Sequence, residues 1–153
     1  MNISNASERL IITLWVGGLW AIGFLAVPLA FIELGDPMIA GDYAGQLFYA
    51  MNIIGLASGF ALLLIFFIRR TTTSSSWRLW LVLAMLALTA LFHFYIQPEM
   101  AAIKMFDWRN DAELSQQFDQ LHGLSSKIYF IICVLGLALV VSDGNKKSVS
   151  TYG

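Results

Sequence analysis

Four apolar runs decide what this chain can become. Leu10–Ile32 is 23 residues without a charge, and Ala44–Ile68 is 25. Leu79–Ile96 is 18 residues in which His93 is the one histidine, and Ile128–Val141 is apolar for 14. About 20 helical residues cross the hydrocarbon core of a bilayer. The first three runs suffice or nearly so, and the fourth must borrow Leu121–Lys127, with Lys127 reaching back to the headgroups. Inside hydrocarbon each backbone amide needs a partner within its own segment, so every run must be a helix. The residues are 58% hydrophobic and 12% charged, against about 25% charged in soluble domains. The expectation is an all-α, four-helix transmembrane bundle forming a single integral membrane domain over 1–153. Its spans fall at about 10–32, 44–68, 77–97 and 121–142.

The first run is longer than the apolar part of a signal peptide and lacks a following small-x-small cleavage site, so it reads as a retained helix. Four spans put the N-terminus, the second loop and the C-terminus on one side. That side carries Arg9, Arg69, Arg70, Arg78, Lys146 and Lys147, whereas the other carries Lys104, Arg109 and Lys127. Six basic residues against three place both termini in the cytoplasm. Between the third and fourth spans, Gln97–Leu121 has room for a short helical elbow outside the membrane. Pro98 suits the first turn of a helix, and Asp111 suits the cap of the next. No internal repeat is evident. The near-neutral net charge points away from nucleic acid, and the single cysteine, Cys133, excludes an intrachain disulfide and any Cys-rich metal site.

Within lipid, small residues and interhelical hydrogen bonds hold helices together. Gly17 and Gly18 on the first span, and Asn52, Gly55 and Gly59 on the second, read as packing positions. The other two spans are more polar. At 100° per residue, Thr89, His93, Gln97 and Met100 share one stripe of the third. His122, Ser125, Ser126, Tyr129, Cys133 and Gly136 share one of the fourth. Polar groups facing lipid are costly, so both stripes should turn inward, toward each other. Matching depths pair Gln97 with His122, and His93 with Ser125 or Ser126.

Two readings follow. In one, His122, Gln97, Glu99, Ser125, Ser126 and Tyr129 line an outward-opening site between the third and fourth spans for a metal ion, haem or small polar ligand. His93 and His122 are then candidate metal ligands, because imidazole suits copper and haem iron. In the other, the polar ladder only fixes helix register. The protein is then a structural or accessory subunit that binds another membrane protein or itself. The sequence contains no nucleophile–base pair, phosphate loop or carboxylate dyad, which argues against an enzyme. A permease is disfavoured because no buried acid–base pair and no broken helix pair is apparent.

The segments "ERLIITLWVGGLWAIGFLAVPLAF", "AGQLF", "RLWLVLAMLALTAL", "QPEMAAIK" and "FDQLHGLSSKIY" resemble a bacterial four-helix membrane family of unknown function. That family is similar to transmembrane-protein-205-like proteins and distantly similar to copper-resistance D-like proteins. The resemblance implies four helices, an address in the bacterial inner membrane, and a place for His122, Gln97 and Glu99 in whatever site exists. It supplies no reaction.

Overall fold

The computed structural model describes residues 3–68 and 76–142. Among the described residues are six α-helices: α1 (Ile3–Ala21), α2 (Val27–Glu33), α3 (Pro37–Ile68), α4 (Ser76–Leu91), α5 (Gln97–Lys104) and α6 (Ala112–Val141). Two five-residue π-helical turns, Ile22–Ala26 and Phe92–Ile96, join α1 to α2 and α4 to α5 without a break. Four continuous helices long and apolar enough to cross a membrane result: Ala6–Glu33, Pro37–Ile68, Trp77–Lys104 and Ala112–Val141. We call them the first to fourth spans. Arg69, Arg70, Lys146 and Lys147, which carry much of the orientation argument, lie outside the described residues.

Each span packs on the next, and the fourth closes against the first. Trp15, Leu62, Val82, Met85, Ile96, Ile132, Cys133 and Leu139 fill the interior, each at most 1% exposed. The outer surface is equally apolar: Leu14, Phe60, Leu64, Phe67 and Phe94 are all more than half exposed. A soluble protein would not show water that surface, whereas acyl chains accept it.

The two π turns share one cause. Pro28 and Pro98 each stand two residues beyond a π turn. Proline has no N–H, and its ring collides with the carbonyl four residues back. Widening the preceding turn by one residue relieves the collision while the helix continues. Pro98 therefore does not open a separate helix; α5 runs on from the third span. The elbow is α5 plus the first turns of α6, joined through a turn in which Trp108 stacks on Phe118 at 4.2 Å. Asp111 caps α6 as its residue type suggested, accepting from the backbone N–H groups of Glu113 and Leu114.

The structure contains a repeat that the sequence hides. Shifting the first span by 70 residues superposes its pattern on the third. Pro28 falls on Pro98, one π turn on the other, and buried Ile12, Trp15 and Leu19 on buried Val82, Met85 and Thr89. Shifting the second span by 77 places buried Asn52, Gly59 and Leu62 on Tyr129, Gly136 and Leu139. Asp36 caps α3 through the N–H groups of Met38 and Ile39, the same geometry as Asp111 on α6. The contacts exchange as a twofold axis requires. A Cβ on Gly59 would meet Leu86 and Trp15; one on Gly136 would meet Val16 and Met85. The same operation carries Glu8 to Arg78, and these two form an ion pair at 3.0 Å. The bundle is two helical hairpins related by a pseudo-twofold running along its length.

Candidate functional site

Polar side chains in the spans collect at three places. Nearest the chain termini, Glu8 and Arg78 pair across the bundle diagonal, with side chains only 8% and 13% exposed. Arg78 enters the sequence reading only as a marker of topology and Glu8 not at all, yet they make a buried acid–base pair. That pair removes one ground on which a permease is disfavoured, whereas both spans with a π turn run on without a break.

The other two places are the equivalent junctions of the pseudo-twofold. Where the fourth span meets the first, Tyr129 lies against Gly23 in the first π turn, and its hydroxyl donates to the carbonyl of Leu19. Gly23 is required there: a Cβ would collide with the Tyr129 ring, which is also held edge-on by Phe48 at 4.8 Å. Where the second span meets the third, His93 stands at the Gly23 position and Asn52 at the Tyr129 position. The amide of Asn52 donates to Gln97 Oε1 at 3.1 Å, and Gln97 Nε2 donates to the carbonyl of Gly45 at 3.3 Å. The His93 ring lies 5.1 Å from that of Tyr49 and 4.9 Å from that of Phe94. Its Nδ1 is buried without a hydrogen-bond partner.

This geometry corrects the expected pairings. Gln97 does not meet His122, and His93 does not meet Ser125 or Ser126; the polar edge of the third span faces the second. A stripe identifies which residues share a face, but not which of two flanking helices that face will meet. Asn52 decides it, because a buried amide on the second span needs a partner. The fourth-span serines need none from another helix: Ser125 and Ser126 both donate to the backbone carbonyl of His122, at 2.7 and 3.0 Å. The His122 ring is exposed and stacks parallel to Phe118 at 6.2 Å. Glu99 is exposed, and Lys104 pairs with Asp42 at 2.7 Å rather than with Glu99. Tyr129 faces the first span. Among the packing glycines, Gly18 meets Met51, Gly55 meets Trp15 and Thr89, and Gly59 meets Leu86 and Trp15. Gly17 faces outward with nothing within 4 Å.

Nothing in this geometry supports a copper or haem site built on both histidines. The two rings lie on different helices against different aromatic neighbours. Among the described residues no group of three or more His, Cys, Asp or Glu could hold a metal ion. A shallow open groove near the start of α6, lined by Arg109, Ser115, Gln116 and Asp119 among others, includes neither histidine.

Gly23 and Gly45 carry no signal in the sequence. The equal placement of Pro28 and Pro98 after long apolar runs was the one pointer to the repeat.

No curated protein and no solved structure matches the chain. A family profile described as a domain of unknown function, DUF4149, matches residues 10–106. That stretch holds the first three spans, both π turns and the junction of Asn52, His93 and Gln97. The chain belongs to the DUF4149 family.

Proposed function

We propose that the protein is a single-domain, non-enzymatic membrane subunit that acts through its bilayer-facing surface on another helix. The observation that carries this is the filled interior: Trp15, Met85, Leu62 and Ile132 occupy the middle of the bundle at no more than 1% exposure. Polar groups within it are turned on each other, as with Asn52–Gln97 and Glu8–Arg78. Close helix association in lipid needs small residues at the contact. Gly17 is of that kind, and Thr13 and Ala21, one turn before and after it, are likewise exposed. The basic residues argue for an inner-membrane protein with both termini in the cytoplasm.

The test is site-specific photo-cross-linking in native membranes, with the probe at Thr13 and, as control, at Phe60 on the second span. A discrete adduct from Thr13 and none from Phe60 supports the reading. Lipid adducts alone from both positions refute it.

A further inference from the structure

Both hairpin turns lie at the same end of the bundle, and both expose apolar side chains. At the turn between α2 and α3, Ile32 is 72% and Ile39 55% exposed, with Leu34 and Met38 beside them. At the turn between α5 and α6, Met105 is 85% and Phe106 66% exposed. Lys104 ties the two turns together through Asp42 at 2.7 Å.

Lipid does not account for these side chains. At the other end of the bundle, the exposed Trp77 and Trp80 suit the membrane interface at the level of the Glu8–Arg78 pair. Pro28 and Pro98 stand 20 residues beyond Glu8 and Arg78, about 30 Å along the helix and the thickness of the hydrocarbon core. The outward face of the fourth span turns from polar to apolar at nearly the same depth, between Lys127 and Phe130, where Tyr129 lies beside Gly23. Met105 and Phe106 come seven and eight residues after Pro98, about 10–12 Å past the core, whereas the headgroup layer is about 5–8 Å deep. Asp42 is level with Lys104, and Met38 and Ile39 lie about one turn further out on α3. Both apolar tips therefore stand in water.

An exposed apolar patch rimmed by polar residues marks a contact between proteins. The rim here is largely of one sign. Glu33, Asp36, Asp107, Asp111 and Glu113 lie in the same two turns. Against them stand Lys104, already held by Asp42, and Arg109, which lies over the Trp108 ring. Anionic headgroups, or a second copy meeting end to end, would bring like charges together.

We propose that the two hairpin tips form a docking surface for an extramembrane protein segment that carries basic residues around an apolar face. Met38, Ile39, Met105 and Phe106 receive the apolar face, and Glu33, Asp107 and Glu113 orient the basic rim. This surface goes beyond the lipid-facing one proposed above. Gly17 lies 18 residues before Gly35 at the first tip, about 27 Å along the helix, so the two surfaces succeed or fail separately.

A photo-cross-linker at Met105 in native membranes tests this, with the Thr13 probe run beside it and a nitroxide on Met105→Cys reporting depth. The nitroxide should be open to a water-soluble relaxation agent. The Met105 probe should give a protein adduct whose captured peptide, read by mass spectrometry, is rich in Lys and Arg. Glu33→Gln, Asp107→Asn and Glu113→Gln together should cut its yield about tenfold, the scale of three exposed ion pairs lost, and leave the Thr13 product unchanged. Asp36 and Asp111 are kept because they cap helices. High salt should weaken the same adduct of the unaltered protein, which preserves the test if the triple variant does not fold. A nitroxide shielded by lipid overturns the proposal. So does an adduct with lipid or a second copy alone, a captured peptide that is acidic or neutral, a yield indifferent to both charge and salt, or no adduct.

Discussion

Gly23→Ala is the sharpest probe of the way the two hairpins fit. On helix propensity alone the change should help, by about 0.8–1 kcal/mol. The structure opposes it. The new Cβ would overlap the Tyr129 ring, which cannot retreat easily because Phe48 packs against it edge-on. Overpacking of this kind costs about 1–3 kcal/mol. Moving the ring also breaks the hydroxyl bond to Leu19, worth about 0.6 kcal/mol on average for an interhelical bond in a membrane protein. The net expectation is a loss of about 1–2 kcal/mol. Denaturant-induced unfolding in bicelles, followed by tryptophan fluorescence, reads it directly. Tyr129→Ala should lower stability in the wild-type background but should cost less once Gly23→Ala is present. The twofold makes a stricter demand: Gly23→His alone should be worse than Gly23→Ala, whereas Gly23→His with Tyr129→Asn should recover part of the loss, because it copies the His93–Asn52 pairing. If Gly23→Ala is stabilising, or if the paired exchange gives no recovery over Gly23→His, the packing argument is wrong.

Other substitutions probe separate parts of the fold in the same unfolding assay. Glu8→Gln removes the charge beside Arg78 and should cost up to about 3 kcal/mol. The exchanged pair Glu8→Arg with Arg78→Glu should regain most of that, and no recovery would mean the pair is incidental. Asp111→Ala deletes the cap of α6 and should cost about 1 kcal/mol. Gly35 ends the first hairpin turn at φ +66°, a conformation that other residues adopt at a cost of about 1–2 kcal/mol. Gly35→Ala should show that loss while Gly41→Ala, with open space around it, should show little.

What the sequence revealed followed from rules with one answer. Hydrocarbon leaves a long apolar run no choice but helix, so three spans were readable from length, and the fourth once Leu121–Lys127 was added to its 14 apolar residues. Asp111 was readable as a cap because a carboxylate before a helix start has a standard use. Which way the polar edge of the third span turned was not readable. His93 and Gln97 could have met either neighbour, and the choice rests on Asn52, 45 residues before Gln97. The repeat was invisible for a related reason: the twofold packing keeps contacts, not residue types. Trp15 answers to Met85, Glu8 to Arg78, and the glycine–tyrosine pair to histidine and asparagine. No comparison of letters would align them, yet each pair occupies matching space. The π turns were also hidden, since proline in an apolar run signals a disturbance without saying whether the helix kinks, stops or widens.

The third span turns its polar edge to the second span and not to the fourth. A double-mutant cycle between Asn52→Leu and Gln97→Leu tests it most directly, beside a second cycle between Gln97→Leu and His122→Leu. The structure predicts a coupling of about 0.6 kcal/mol or more in the first cycle and none in the second. Coupling between Gln97 and His122, with none between Asn52 and Gln97, would contradict it.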